Sequence, residues 1–149
     1  GQYRLEKETC QRLGITLINE PISSRSFPKV DKLNKIIAHL QNSEYPLLIH
    51  CKSGADRAGL VSVLFAHFVL GQPIAQARRQ LSMKFGHFRW ADTGKLDYLF
   101  DAFERFEKTQ PDISFQDWLN HHYDREQLNA QFQASGWANI VVNKLLRRE

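Results

Sequence analysis

A cysteine and an arginine six positions apart are the residues of this 149-residue chain whose spacing suggests chemistry. Cys51 ends the apolar run "LLIHC", and Arg57 ends the polar loop that follows, directly before a second apolar run. A cysteine thiolate is a nucleophile, and a guanidinium can bind two oxygens of a phosphate group with its planar fork. The pair therefore indicates attack by a thiolate on a phosphate group that is held in place.

The loop between these two residues has the composition of an anion-binding loop. It lies between a predicted strand and a predicted helix, and the first four backbone N–H groups of a helix have no acceptor within it. Gly54 can adopt the positive φ that a tight loop requires. The same N–H groups should stabilise the thiolate of Cys51 and lower its pKa below ~8.5. The predicted substrate-binding residues are Lys52, Ser53, Gly54, Ala55, Asp56 and Arg57.

The elements that must position this loop indicate an α/β domain. Residues 15–22, "ITLINEPI", and 47–51, "LLIHC", have the β-branched or continuous apolar composition of short strands. A helix beginning at Pro28 lies between them, so the unit predicts a right-handed crossover with Cys51 at the carboxyl end of a parallel strand. Further helices are expected at 3–13, 58–70, 74–84, 94–107, 114–122, 124–134 and 137–148.

The predicted fold class is a single domain over residues 1–149, with a short, mainly parallel sheet flanked by helices and a helical C-terminal extension. Two strands make a thin sheet for this length. Either weak strands lie among the predicted helices, or the full-length protein has N-terminal strands that precede this sequence.

Composition narrows the class of partner and the compartment. The net charge of +4 comes from scattered lysines and arginines, so we predict no nucleic-acid partner and expect an anionic substrate. Two cysteines are too few for a disulfide framework and indicate a reducing, cytoplasmic compartment. No apolar run is long enough to span a membrane, although the amphipathic helix at 137–148 could lie on a membrane surface.

The segment "HCKSGADRAG", residues 50–59, resembles the His-Cys-x5-Arg signature of the cysteine-dependent protein tyrosine and dual-specificity phosphatases. The resemblance extends over about residues 14–85 and implies the fold of that superfamily, with no metal or cofactor. It implies that Cys51 forms a phosphocysteine intermediate, that Arg57 and the loop backbone bind the phosphate, and that His50 supports the loop. Satisfying a backbone group is an equally good interpretation of His50 from the sequence alone.

The chain departs from that family at two positions. Many members have Ser or Thr directly after the arginine, where this chain has Ala58, so turnover of the intermediate could be slow. The usual general acid is an aspartate about thirty residues before the cysteine, and the corresponding segment 19–26 has Glu20 as its one carboxylate. A catalytically weak, phosphate-binding pseudophosphatase is therefore an alternative to an enzyme.

Asp56 is our candidate for the missing acid, with Glu20 or no acid at all as the alternatives. A carboxyl group next to a bound phosphate dianion is expected to hold a proton near neutral pH. The Asp-Arg ending of the loop also resembles myotubularin and Sac-type phosphoinositide phosphatases. The structural alternative is that Asp56 caps a helix or pairs with a lysine at the surface.

The substrate predicted from these features is a phosphorylated protein, with a phosphorylated lipid or inositol as the alternative. Lys52 raises the positive potential beside the cysteine, and Arg25, in the polar loop "SSRSFP", could contact a substrate anion. His87, in "KFGHFRW", is expected to be a packing residue or a partner of a helix C-terminus, with a ligand or base role as the alternative.

Overall fold

A computed structural model describes residues 1–90 and 92–134 of the chain. Its α-helices are α1 (Gln2–Leu13), α2 (Val30–Asn42), α3 (Asp56–Phe68), α4 (Ile74–Ala77), α5 (Lys95–Glu107) and α6 (Phe115–His121). Three single 3₁₀ turns occupy Arg78–Gln80, Met83–Phe85 and Asp92–Gly94. Residues 125–134 are helical up to the end of the described region, and the helix predicted at 137–148 lies outside the described residues.

The predicted parallel sheet is wrong. Within the described ranges no residue is in a strand, and both 15–22 and 47–51 are irregular, so there is no β-α-β crossover and no sheet edge at Cys51. A strand needs hydrogen-bonded neighbours, and two short segments alone do not make a stable sheet. Ile22, Leu47 and Ile49 instead pack against a helical core, whereas Leu48 is 84% exposed. The run 47–49 is therefore buried on one side only, and its continuous apolar composition does not reflect burial on both faces of a sheet.

The helices predicted around the core are confirmed. On α2 the buried residues recur at helical spacing, as predicted, and they are Leu33, Ile36, Ile37 and Leu40. The all-round apolar character predicted for the next helix corresponds to α3, whose buried residues are Ala58, Gly59, Leu60, Val63, Leu64 and Ala66. Each fully buried leucine contributes about 1.5–3 kcal/mol relative to an exposed one, so α2 and α3 anchor the segment between them. This segment carries the cysteine loop.

The helix predicted at 74–84 is shorter than expected. It consists of α4 followed by two 3₁₀ turns, because Leu81 turns inward against α3. Gly59 permits this approach: a Cβ added there would lie 2.9 Å from Leu81 Cδ2. The close contact fixes residues 78–87 beside the first turns of α3.

Helices α5 and α6 complete the core through aromatic packing. Phe115 is fully buried and meets Phe100, Phe103 and Trp118 at ring-centroid separations of 5.8, 5.1 and 5.7 Å. All four of these rings are buried in the core, whereas Phe85, Phe88 and Trp90 are exposed. Among the described helices, none combines the length and the apolar character needed to cross a membrane.

Candidate active site

Three backbone N–H groups near Cys51 favour its ionised form. Cys51 is a free, partly buried cysteine, and the N–H groups of Ser53, Gly54 and Ala58, here called the donor ring, stabilise its thiolate. Burial alone raises the pKa of the Cys51 thiol. The three N–H groups and the positive charge of Arg57 outweigh that effect, so the pKa is lowered from its ordinary value. These backbone N–H groups and the charge of Arg57 therefore favour the thiolate that the sequence predicts.

The ring forms because the loop turns sharply into α3. Gly54 has φ +74°, a backbone conformation that L side chains rarely adopt, as the sequence predicts. Helix α3 then begins at Asp56, so Arg57 and Ala58 lie in its first turn, where backbone N–H groups are free to bind a ligand. Arg57 is partly buried, whereas Lys52, Ser53 and Gly54 are exposed to solvent. The loop therefore presents both a nucleophile and phosphate-binding donors.

The lowered pKa gives a direct prediction for the chemistry of the thiol. A group with a lowered pKa ionises at lower pH, so alkylation of Cys51 by iodoacetamide should reach its plateau at lower pH in the folded chain. The same thiol in the urea-unfolded chain is the reference, with an expected midpoint near ~8.5. Rates measured in a Cys10→Ser background report Cys51 alone. Equal midpoints in the folded and unfolded chains would contradict the donor ring.

Asp56 does not pair with a lysine; it contacts a buried histidine. Its Oδ1 lies 2.7 Å from Nδ1 of His87, and Nε2 of the same ring lies 2.6 Å from Oδ2 of Asp97. The imidazole is 1% exposed, the Asp97 side chain 8% and the Asp56 side chain 22%. The structure thus joins the cysteine loop to the first turn of α5, which contains Asp97.

The sequence did not predict this bridge. His87 is expected there to be a packing residue or a partner of a helix C-terminus, with a ligand or base role as the alternative, and Asp97 has no predicted role. The spacing of positions 56, 87 and 97 along the chain does not predict a contact between them. The three residues belong to α3, to the segment after the 3₁₀ turn at Met83–Phe85 and to α5, and their side chains meet only when these elements pack together. Gly86 is the local feature of the sequence that indicates a turn before His87. Its φ of +78° lets the chain turn there, and His87 then contacts Asp56 of the cysteine loop.

Glu20, the alternative acid, is paired with basic side chains of α2. Lys32 of α2 donates a hydrogen bond to its Oε2 at 3.0 Å, and His39 lies 3.6 Å from its Oε1. The hydrogen bond from Lys32 lowers the pKa of Glu20; burial acts in the opposite direction, and the charges of Lys32 and Lys35 add to the lowering. A carboxylate that is ionised and hydrogen-bonded to Lys32 is poorly suited to donate a proton to a substrate.

The other two predicted residues have their contacts elsewhere. Nε2 of His50 lies 2.6 Å from Oε1 of Glu6 on α1, and the donors that surround the Cys51 sulfur do not include it. Arg25 is exposed, its backbone N–H donates to Ser23 Oγ at 3.1 Å, and its carbonyl accepts from Lys95 Nζ at 3.3 Å. The structure therefore brings together Cys51, the loop backbone, Arg57 and Asp56, with His50 and Arg25 beside other partners.

Comparison with known proteins identifies the same part of the chain. Residues 16–76 match the model of a family described as the tyrosine phosphatase family. No curated protein and no solved structure matches the chain. The matched segment includes α2, the whole cysteine loop and α3, and it ends before His87 and Asp97.

Proposed function

We propose that this chain hydrolyses phosphomonoesters through a phosphocysteine on Cys51, and the match of residues 16–76 to the tyrosine phosphatase family supports this proposal. The observation that supports this mechanism most strongly is the donor ring around the Cys51 sulfur, with Arg57 beside it. A nucleophile kept ionised within a phosphate-binding loop needs no separate base to activate it. No metal or cofactor has a part in the proposed reaction.

In the first step the thiolate of Cys51 attacks phosphorus as the bond to the leaving oxygen breaks. The loop N–H groups and the guanidinium of Arg57 bind the phosphoryl oxygens, whose negative charge they stabilise in the transition state. These donors are held in place before substrate binds, because Gly54 and the first turn of α3 fix the backbone. The donors therefore need little reorganisation during the reaction.

We propose Asp56 as the general acid that protonates the leaving oxygen. It lies in the loop itself, at the first residue of α3, and its side chain remains partly exposed. Its Oδ1 contacts His87, and no hydrogen bond within the described chain occupies Oδ2. That oxygen is available to a substrate. The lowered pKa of Glu20 and its bond to Lys32 favour Asp56 over Glu20 for this role.

The Asp56→Asn variant should lose more activity on a substrate with a poor leaving group than on one with a good leaving group. We expect kcat/KM, which reports the first step, to fall about 10²-fold on phenyl phosphate, and much less on p-nitrophenyl phosphate, whose phenolate leaves without assistance. Steady-state rates on both substrates provide the measurement. Asp92→Asn, a change in an exposed aspartate outside the loop, serves as the control. Equal losses on the two substrates would show that Asp56 is not the general acid.

In the second step water attacks the phosphocysteine, and the thiolate leaves. Ala58 donates its backbone N–H to the sulfur but has no hydroxyl to assist this departure. We therefore expect hydrolysis of the intermediate to be the slower step. If no substrate is turned over but phosphorylated ligands still bind, the chain acts as a phosphate-binding pseudophosphatase.

The substrate class we propose is a phosphorylated protein, and one observation favours a phosphorylated lipid or inositol as the second candidate. Lys52, directly after the nucleophile, is exposed at the loop and adds positive charge where a multiply anionic headgroup would lie. A panel of phosphotyrosine, phosphoserine and phosphothreonine peptides beside phosphoinositides separates the two. Preference for phosphotyrosine supports the first candidate, and selective loss of phosphoinositide hydrolysis in Lys52→Gln supports the second.

A further inference from the structure

His87 is a buried titratable residue for which the two-step mechanism has no role. Both of its ring nitrogens face carboxylate oxygens, at 2.7 Å from Asp56 and 2.6 Å from Asp97. These two carboxylates are the charged groups that the described structure places against the ring. A histidine that served only to fill the core would not need two acidic partners.

The hydrogen bonds set the smallest number of protons that this cluster holds. Ionised carboxylates and unprotonated ring nitrogens are acceptors only, so each of the two bonds needs a proton of its own. A neutral imidazole carries one N–H and can satisfy one bond. Both bonds form only if the ring is doubly protonated or if one carboxyl group keeps its proton. In either arrangement a proton lies between His87 Nδ1 and Asp56 Oδ1.

The ring is held rigidly in this position. The backbone N–H of His87 donates to Ser82 O at 3.1 Å, and a Cβ added at Gly86 would lie 3.7 Å from that of Ala55 in the cysteine loop. On the other side, Thr93 Oγ1 donates to Phe88 O at 2.9 Å. Gly94 lies so close to the carbonyl of Arg89 that no Cβ would fit. Asp97 follows within the first turn of α5, so its direction is set by that helix.

We propose that His87, anchored by Asp97, holds the carboxyl group of Asp56 in one orientation and keeps a proton hydrogen-bonded to its Oδ1 throughout turnover. His87 and Asp97 are thus positioning residues that act through Asp56. The inference rests on the proposed function, in which Asp56 is the general acid. Both residues lie outside the segment that matches the family model.

The proton balance of the reaction follows from this arrangement. As the bond from Cys51 sulfur to phosphorus forms and the bond from phosphorus to the leaving oxygen breaks, Asp56 gives that oxygen a third proton, carried on its Oδ2, while the proton between Oδ1 and His87 Nδ1 stays in the cluster. Asp56 is then a carboxylate, and the N–H of His87 stabilises it. When water attacks phosphorus and the thiolate leaves, the proton lost by water passes to Asp56. The cluster returns to its starting state with no net change in protons.

The test compares leaving groups in His87→Asn and Asp97→Asn. We expect kcat/KM on phenyl phosphate to fall about 10-fold or more in both variants, with a smaller loss on p-nitrophenyl phosphate. Asp97→Asn is nearly isosteric, so it provides the result if His87→Asn does not fold. A merely structural role would lower the rates on both substrates by the same factor.

A control and a double variant separate positioning from general damage. Arg78 joins Asp101 and Glu104 of α5 at 2.6 Å each, so Arg78→Gln loosens the same helix without touching Asp56. It should lower the melting temperature and leave the ratio of rates on the two substrates unchanged. Adding His87→Asn to Asp56→Asn should cause no further loss, because His87 acts through Asp56.

Two patterns of failure are distinct. If the natural chain hydrolyses both substrates and His87→Asn slows them equally, or if its loss adds fully to that of Asp56→Asn, the positioning role is overturned and the proposed function stands. If the natural chain hydrolyses neither substrate, or if Cys51→Ser is as active as the natural chain, the proposed function fails and this inference fails with it.

Discussion

The Cys51→Ser variant is expected to lose hydrolysis of p-nitrophenyl phosphate by on the order of 10⁴-fold or more. A serine hydroxyl is not ionised at neutral pH, and the donor ring that lowers the pKa of the thiol does not make it a comparable nucleophile. Phosphate binding should persist, because the N–H groups of Ser53, Gly54 and Ala58 belong to the backbone. The measurement is steady-state phosphate release, with binding of inorganic phosphate measured separately.

The matched control for this change is Cys10→Ser. Cys10 is the other cysteine of the chain and lies on α1, so its substitution should leave kcat unchanged. The two variants make the same chemical change and differ only in position. If Cys51→Ser retained more than a small fraction of the activity, the thiolate would not be the nucleophile.

The Arg57→Lys variant is expected to lower kcat/KM on the order of 10³-fold while leaving the chain folded. Lysine keeps the positive charge but lacks the planar fork that binds two phosphoryl oxygens at once. Arg57 is also one of the groups that lower the pKa of Cys51, and a lysine charge there retains part of that effect. The main loss should therefore come from phosphate binding and transition-state stabilisation.

The control for this second change is Arg79→Lys, at an exposed arginine that follows α4. It should leave both kcat and KM unchanged. Iodoacetamide alkylation of the Arg57→Lys variant then separates the two effects of the guanidinium. A near-normal alkylation profile together with the large loss in kcat/KM supports the role of the fork, and a fall of less than about tenfold in kcat/KM would argue against it.

The cysteine loop was predictable from the sequence because its residues are local. Cys51, Gly54 and Arg57 lie within seven positions, and a turn into a helix suffices to bring the backbone donors around the sulfur. The helices α2, α3 and α5 were predictable for a similar reason, since their apolar residues repeat at helical spacing. Contacts within a few residues along the chain are the ones that pattern reasoning describes well.

The sheet and the histidine bridge were not predictable in the same way. Leu47 and Ile49 have the composition of a buried strand, yet they pack one-sidedly on helices, and only the tertiary structure distinguishes the two arrangements. The bridge from Asp56 through His87 to Asp97 depends on close approaches at Gly59 and Gly94. Such contacts between distant positions follow from packing, which the order of residue types does not reveal.

The central claim, that Cys51 carries the phosphoryl group during turnover, is tested most directly by trapping the intermediate. The natural chain is mixed with p-nitrophenyl phosphate, quenched in acid within milliseconds to seconds, and digested for mass spectrometry. We predict one phosphoryl group on the peptide containing Cys51, accumulating in a burst because hydrolysis of the intermediate is slow, and no such group in Cys51→Ser. Phosphate release without any phosphorylated Cys51, or with the phosphoryl group on a different residue, would contradict it.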